Sequence, residues 1–249
     1  MDFDSVRKAV EDVPVMSAAQ GRVVYDHIIE SECTNVLELG THNGTSAAYM
    51  AAALHELGRG RVTTLDRAQL MPKIPPEQQA FAELPELLPF VHFERPSDSS
   101  YVWWLMRRVE AQSDAAGNCQ PAYDFCYLDG AHDFTIDGMA VYLVERLLNH
   151  GGWLLMDDLN WSYRAGQSAY DVDVLSEDEA ATPHMRQIFD VLLRQHPNFS
   201  EFRVQDGSWG WARKSPSQQR RYTLETSKSV SGLIMDRVKK AALAARSQR

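Results

Sequence analysis

Apolar runs of strand length alternate along this chain with segments of helical period, a pattern that a mainly parallel sheet covered by helices on both faces buries well. Strands are expected at Asn35–Leu39, Val62–Asp66, Phe90–Glu94, Asp124–Asp129 and Gly152–Asp157, with helices near Ser46–Leu57, Glu77–Leu84, Tyr101–Gln112 and Asp137–Asn149. An earlier helix, Ser17 to Ser31, has Ser17 as its N-cap and Val23, Val24, Ile28 and Ile29 at helical spacing. Periodicity lapses between Asn160 and Pro183, as it does in lids and binding loops. A helix at about His184–Gln195 then leads to strands Glu201–Val204 and Trp209–Arg213, joined by the hairpin signal Asp206-Gly207.

The expected fold is therefore α/β, a doubly wound, mainly parallel, seven-stranded sheet with a C-terminal antiparallel hairpin. At 249 residues the chain has room for one such domain, expected at 35–213, behind a helical segment at 1–34 and ahead of a basic helical tail at 214–249. No apolar stretch approaches the ~20 residues needed to span a bilayer, and the acidic start MDFDSVRKAVEDV does not read as a secretory signal. Cys33, Cys119 and Cys126 read as reduced packing residues, so a cytoplasmic location is expected.

The net charge of −9 is uneven: from Lys214 onward nine Lys and Arg face only Glu225 and Asp236, which leaves a markedly acidic body. Such a body repels phosphate backbones and argues against a nucleic acid substrate. The tail is read as a solvated helical extension able to pack on a second subunit, with contact to nucleic acid or an anionic membrane as the other reading.

The chemistry lies at the strand ends. Val36-Leu-Glu-Leu-Gly-Thr-His-Asn-Gly-Thr-Ser46 is a buried strand that ends in an acid and passes through a glycine turn into a helix. Gly40 and Gly44 let the backbone approach a ligand closely. The turn lacks both GxGxxG and a Lys-Ser/Thr pair, which disfavours dinucleotide or P-loop binding. Asp66 ends the second strand where a carboxylate takes a ribose diol. S-adenosylmethionine offers such a diol, together with an ammonium for which Glu38 is the candidate anion. Asp98-Ser99-Ser100 would meet the adenine edge, though a helix N-cap explains it equally well.

The fourth strand runs into Tyr127-Leu-Asp-Gly-Ala-His-Asp133 and the fifth into Leu154-Leu-Met-Asp-Asp-Leu-Asn160. Adjacent strands would bring Asp129 beside Asp157 and Asp158, and three carboxylates so close repel unless a cation or protons intervene. Oxygen donors suit Mg²⁺ or Mn²⁺; solvated strand-end acids and helix caps are the plainer explanation. His132 is a candidate general base, with Asp129 or a metal-bound water as substitutes. Asn160, Trp161, Tyr163 and Arg164 are candidates for an acceptor pocket. His42 reads as a packing or backbone-bonding residue, at least one of Trp103 and Trp104 as core, and Trp209 and Trp211 as sheet packing.

The segment Glu38-Leu-Gly-Thr-His-Asn-Gly-Thr-Ser46 resembles the first motif of class I methyltransferases, in the form found in metal-dependent O-methyltransferases of the catechol and caffeoyl-CoA type. Leu128-Asp-Gly-Ala-His132 resembles more closely the branch with sugar O-methyltransferases of macrolide and aminocoumarin pathways and hydroxylase-like relatives. The resemblance covers about residues 17–160 and implies a Rossmann-like methyltransferase fold. It implies S-adenosylmethionine at Glu38, Gly40, Thr41, Asn43, Gly44, Ser46, Asp66, Asp98, Ser99 and Asp129, a metal at Asp129, Asp157 and Asp158, and His132 and Asp129 as catalytic residues. The implied acceptor is a small-molecule hydroxyl, a sugar or phenol of a natural product. Open alternatives are a metal-independent O- or N-methyltransferase, a non-catalytic cofactor-binding module and a hydroxylase-like relative. A homo-oligomer is possible, its surface the N-terminal helix and the tail.

Overall fold

The computed structural model describes residues 1–13, 15–66, 75–166 and 174–216. The strands are β1 (Asn35–Leu39), β2 (Arg61–Leu65), β3 (Val91–Glu94), β4 (Tyr123–Leu128), β5 (Leu148–Met156), β6 (Phe199–Gln205) and β7 (Trp209–Lys214). They form one sheet in the order β3-β2-β1-β4-β5-β7-β6, with β7 antiparallel to both β5 and β6 and the other pairings parallel. The order reverses between β1 and β4, and it is beyond the carboxyl ends of strands at such a reversal that open α/β sheets bind ligands.

Alternation along the strands sends successive side chains into two separate cores. Val36, Phe125, Tyr127, Leu155, Trp209 and Trp211 face one core, shared with helices α1 (Phe3–Ala9), α2 (Ala18–Glu30) and α3 (Thr45–Glu56). Leu37, Leu39, Cys126, Leu128, Leu154 and Met156 face the other, shared with α4 (Tyr101–Ala111) and α5 (Phe134–Leu147). Both hairpin tryptophans are thus sheet packing, as expected. Trp104 packs against the second core, whereas Trp103 is exposed. Cys33 and Cys126 are buried free thiols and Cys119 is a half-buried one.

Local chemistry sets the boundaries. Ser17 caps α2 in a full capping box with Gln20, and Asp133 caps α5 by accepting from the amides of Thr135 and Ile136, so α5 starts three residues before the expected Asp137. Asp206 and Gly207 both adopt positive φ, the backbone that a two-residue hairpin needs.

One expectation fails. The helix expected at Glu77–Leu84 is replaced by tight turns, Pro76–Gln78 and Pro85–Phe90, because four prolines between Pro75 and Pro89 remove amide donors and crowd the preceding turn. The helix expected at His184–Gln195 is present: α7 (His184–Gln187), after a short α6 (Glu177–Ala181), continues as a wider-wound helical stretch over Ile188–Leu193. The basic tail, from residue 217 onward, and part of the loop expected after Asn160 lie outside the described residues. No helix among the described residues is long and apolar enough to cross a membrane.

Candidate active site at the strand tips

Sheet hydrogen bonding continues past the strands and sets the tips in a row. The Gly40 amide donates to the Leu65 carbonyl at 2.9 Å, the Asp129 amide to Leu39 at 2.9 Å and the Asp157 amide to Leu128 at 3.0 Å. Gly40 stands at φ +111°, and any Cβ there would overlap the Asp129 carbonyl oxygen. The first and fourth strand tips touch because this residue has no side chain.

The glycine turn is tied to its neighbours by short polar contacts. Thr41 Oγ1 lies 2.6 Å from Thr64 Oγ1, and the His42 amide donates to Asp66 Oδ2 at 3.0 Å. His42 is exposed, so it bonds through its backbone rather than packing. Thr41, Asn43 and Ser46 are buried beneath the turn, and Gly44 opens α3. Asp66 sits at the second strand tip, as a nucleoside diol requires. Asp98 and Ser99 precede α4, where Asp98 lies 4.0 Å from Arg107; Ser100 holds the N-cap position without a side-chain cap bond.

Glu38 has no exposed surface, and its two carboxyl oxygens accept the hydroxyls of Ser46 and Thr64. Burial pushes its carboxyl up to about 8 despite those hydroxyls. A side chain so enclosed braces the turn from beneath.

The tips of β4 and β5 hold the second half of the site. His132 Nε2 lies 3.0 Å from Asp158 Oδ2 and 3.5 Å from Asp129 Oδ1. One donor atom from each of Asp129, His132 and Asp158 falls within 4.8 Å of the others, a spacing that a single cation can bridge. Burial opposes charging of His132, but the two carboxylates outweigh it and push its pKa up to about 10.

Asp157 was expected as an equal member of the acidic trio and is placed one step behind it. It is buried, one oxygen accepts the Tyr127 hydroxyl and the other the Asp158 amide at 2.6 Å. Burial and the charge of Asp129 raise its carboxyl to about 7. The donor set is oxygen-rich, as a divalent cation prefers, and the raised Asp157 carboxyl reflects burial and the negative charge of Asp129 beside it.

Trp161 lies against His132 with ring centroids 4.8 Å apart, and Tyr163 follows it at 5.0 Å. These are two of the four residues expected to wall an acceptor. Asn160 is exposed, and Arg164 pairs with Glu177 at 3.1 Å.

Three residues were missed. Tyr101, Asp137 and His184 all bond to the loop carrying His132. Asp137 left a trace in the sequence, since it occupies the apolar stripe that continues through Ala140, Val141 and Val144. Tyr101 and His184 left none.

Residues 37–159 match the model of the family described as "Methyltransferase domain". Over those residues, just under half of its length, the chain is similar to a methyltransferase domain. An O-methyltransferase from Bacillus cereus in complex with SAH is similar to it in structure at 18% identity and a TM-score of 0.57, over 86% of this chain and 90% of that one. An SAH-bound methyltransferase from Podospora anserina is similar at 14% identity and a TM-score of 0.60, over 86% of this chain and 87% of that one. The mycinamycin-pathway methyltransferase MycE, in complex with Mg and SAH, is similar at 14% identity and a TM-score of 0.54, over 92% of this chain and 57% of that one. A comparison with curated protein sequences finds no match. At these identities the structural likenesses establish the fold of the methyltransferase domain. The residues that serve it are argued from the geometry above.

Proposed function

We propose that this domain is a divalent-metal-assisted O-methyltransferase that transfers the methyl group of S-adenosylmethionine to a hydroxyl of a small molecule, a sugar or a phenol. The observation that carries this reading is the convergence of Asp129, His132 and Asp158 at the strand tips next to the glycine turn. An O-methyltransferase neighbour, and a methyltransferase neighbour in complex with Mg, support it.

Asp129 and Asp158 would hold the cation, with Asp157 as the carboxylate behind them, and Mg²⁺ or Mn²⁺ there would supply positive charge that lowers the pKa of a nearby hydroxyl. With Asp129 and Asp158 neutralised by a bound cation, the pull that keeps His132 protonated would be relieved, and its Nε2 would take the acceptor's proton as the acceptor oxygen bonds to the methyl carbon and the carbon–sulfur bond breaks, its electron pair passing to sulfur. The sulfonium is already a good leaving group, so the protein's share of catalysis is alignment and charge. Gly40, Thr41, Asn43, Gly44 and Ser46 shape the cofactor turn, with Asp66 for the ribose diol and Asp98 and Ser99 at the adenine side. Glu38 acts by holding that turn. Trp161 and Tyr163 form an aromatic wall for the acceptor.

The test is transfer of labelled methyl to a panel of sugars and catechols, with and without chelator. A rate lost on chelation and restored by Mg²⁺ or Mn²⁺ supports the reading. Full rate after metal removal ends the metal's part in it and leaves a metal-independent methyltransferase.

A further inference from the structure

His132 stands at φ +56°, in the left-handed region that a residue with a side chain holds only when its surroundings impose it. The amides on either side show what imposes it. The Ala131 N–H donates to the phenolic oxygen of Tyr101 at 3.1 Å, and the Asp133 N–H donates to Asp137 Oδ2 at 2.9 Å. Tyr101 in turn donates its own hydroxyl proton to Asp137 Oδ1. Both neighbours of His132 are thus fastened to one buried unit, made of the first residue of α4 and a residue in the first turn of α5.

That unit is built for position rather than for burial alone. Asp137 has no exposed surface and Tyr101 is 6% exposed. Asp137 is tied through both of its carboxyl oxygens, one to Tyr101 and one to the Asp133 amide, so it fixes the two segments it joins to each other. The loop also presses close: a Cβ on Gly130 would overlap the Tyr101 hydroxyl. Tyr101 immediately follows Asp98-Ser99-Ser100, so the unit joins that segment to the loop carrying His132.

We propose that Tyr101 and Asp137 are positioning residues that hold the His132 imidazole between Asp129 and Asp158. The inference rests on the proposed function only in taking His132 as part of the reacting centre.

The test uses the full chain with Tyr101→Phe and, as a second variant, Asp137→Asn. Nitrogen NMR of the metal-free protein reads the imidazoles, amide exchange reads the loop, Mn²⁺ titration reads the cation site and calorimetry with SAH reads the cofactor site. In Tyr101→Phe the His132 ring signals shift while those of His27, in the core across the sheet, stay in place. Ala131 exchange quickens about tenfold, Mn²⁺ binds several-fold more weakly and SAH affinity holds within about twofold. On a His132→Ala background Tyr101→Phe brings no further loss of Mn²⁺, because its effect passes through that ring. Unmoved His132 signals with unchanged Ala131 exchange overturn the proposal, as does an equal loss of Mn²⁺ on both backgrounds. A wild-type protein that takes up no Mn²⁺ removes the cation reading alone, and the His132 signals then decide the positioning role by themselves.

Discussion

His132 and Asp158, 26 residues apart in the chain, meet at 3.0 Å between imidazole Nε2 and carboxylate Oδ2. Both take positive φ, His132 at +56° and Asp158 at +56°, so each strand tip bends its backbone to present the side chain.

The pair predicts the effect of His132→Asn. With the base gone, methyl transfer falls by ~10²–10⁴-fold, while SAH affinity measured by calorimetry stays within about twofold, because the glycine turn is untouched. A variant that keeps its rate on an acceptor from the panel removes His132 from the chemistry.

Glu38→Gln tests the buried brace of the turn. A carboxyl raised from its usual range to about 8 favours folding most when protonated, so its contribution is full below ~4.5 and is lost as pH rises through about 8. Gln cannot ionise, so the melting temperature of the variant should fall less than wild type between pH 6 and 9. Parallel profiles for the two proteins would mean that Glu38 is already ionised in the fold.

His27 predicts the opposite slope. Burial among Phe125, Trp153 and Trp211, with Arg203 adding repulsion, lowers its pKa to about 4. Protonation therefore favours the unfolded chain, and stability present above ~6.5 is lost as pH falls toward 4. The loss reaches about 3 kcal/mol from this group. In urea titrations His27→Phe should keep more of its stability at pH 4.5 than wild type does, relative to pH 7.5; an identical loss in both would put the acid sensitivity elsewhere.

Gly40→Ala should be among the most damaging single substitutions here. It forces a side chain onto φ +111° and into the Asp129 carbonyl, so the tips of β1 and β4 must part. A loss above ~3 kcal/mol in urea unfolding, with SAH binding abolished, is expected. A variant that melts within a few degrees of wild type would show that the tips can separate at little cost.

Much of this molecule follows from local rules. Period-two strands, Ser17 at the head of α2, Asp206-Gly207 in the hairpin and the acids at the ends of β1, β2, β4 and β5 are properties of short segments, and short segments carry them whatever lies around them. Those rules also place Asp129 and Asp158 at one edge, because parallel strands deliver their carboxyl ends to the same side. They misjudge residues 77–84, where proline chemistry defeats an apolar pattern of helical spacing.

Side-chain direction at the tips was decided by tertiary structure alone. Asp157 and Asp158 are neighbours of identical chemistry, yet one turns down to Tyr127 and the other turns out to His132. Glu38 ends a strand much as Asp66 does, yet hydroxyls from α3 and β2 enclose it. Spacing along a chain sets which residues reach a strand end. Which way each then points depends on polar partners contributed by distant segments, and those partners meet only once the sheet has assembled.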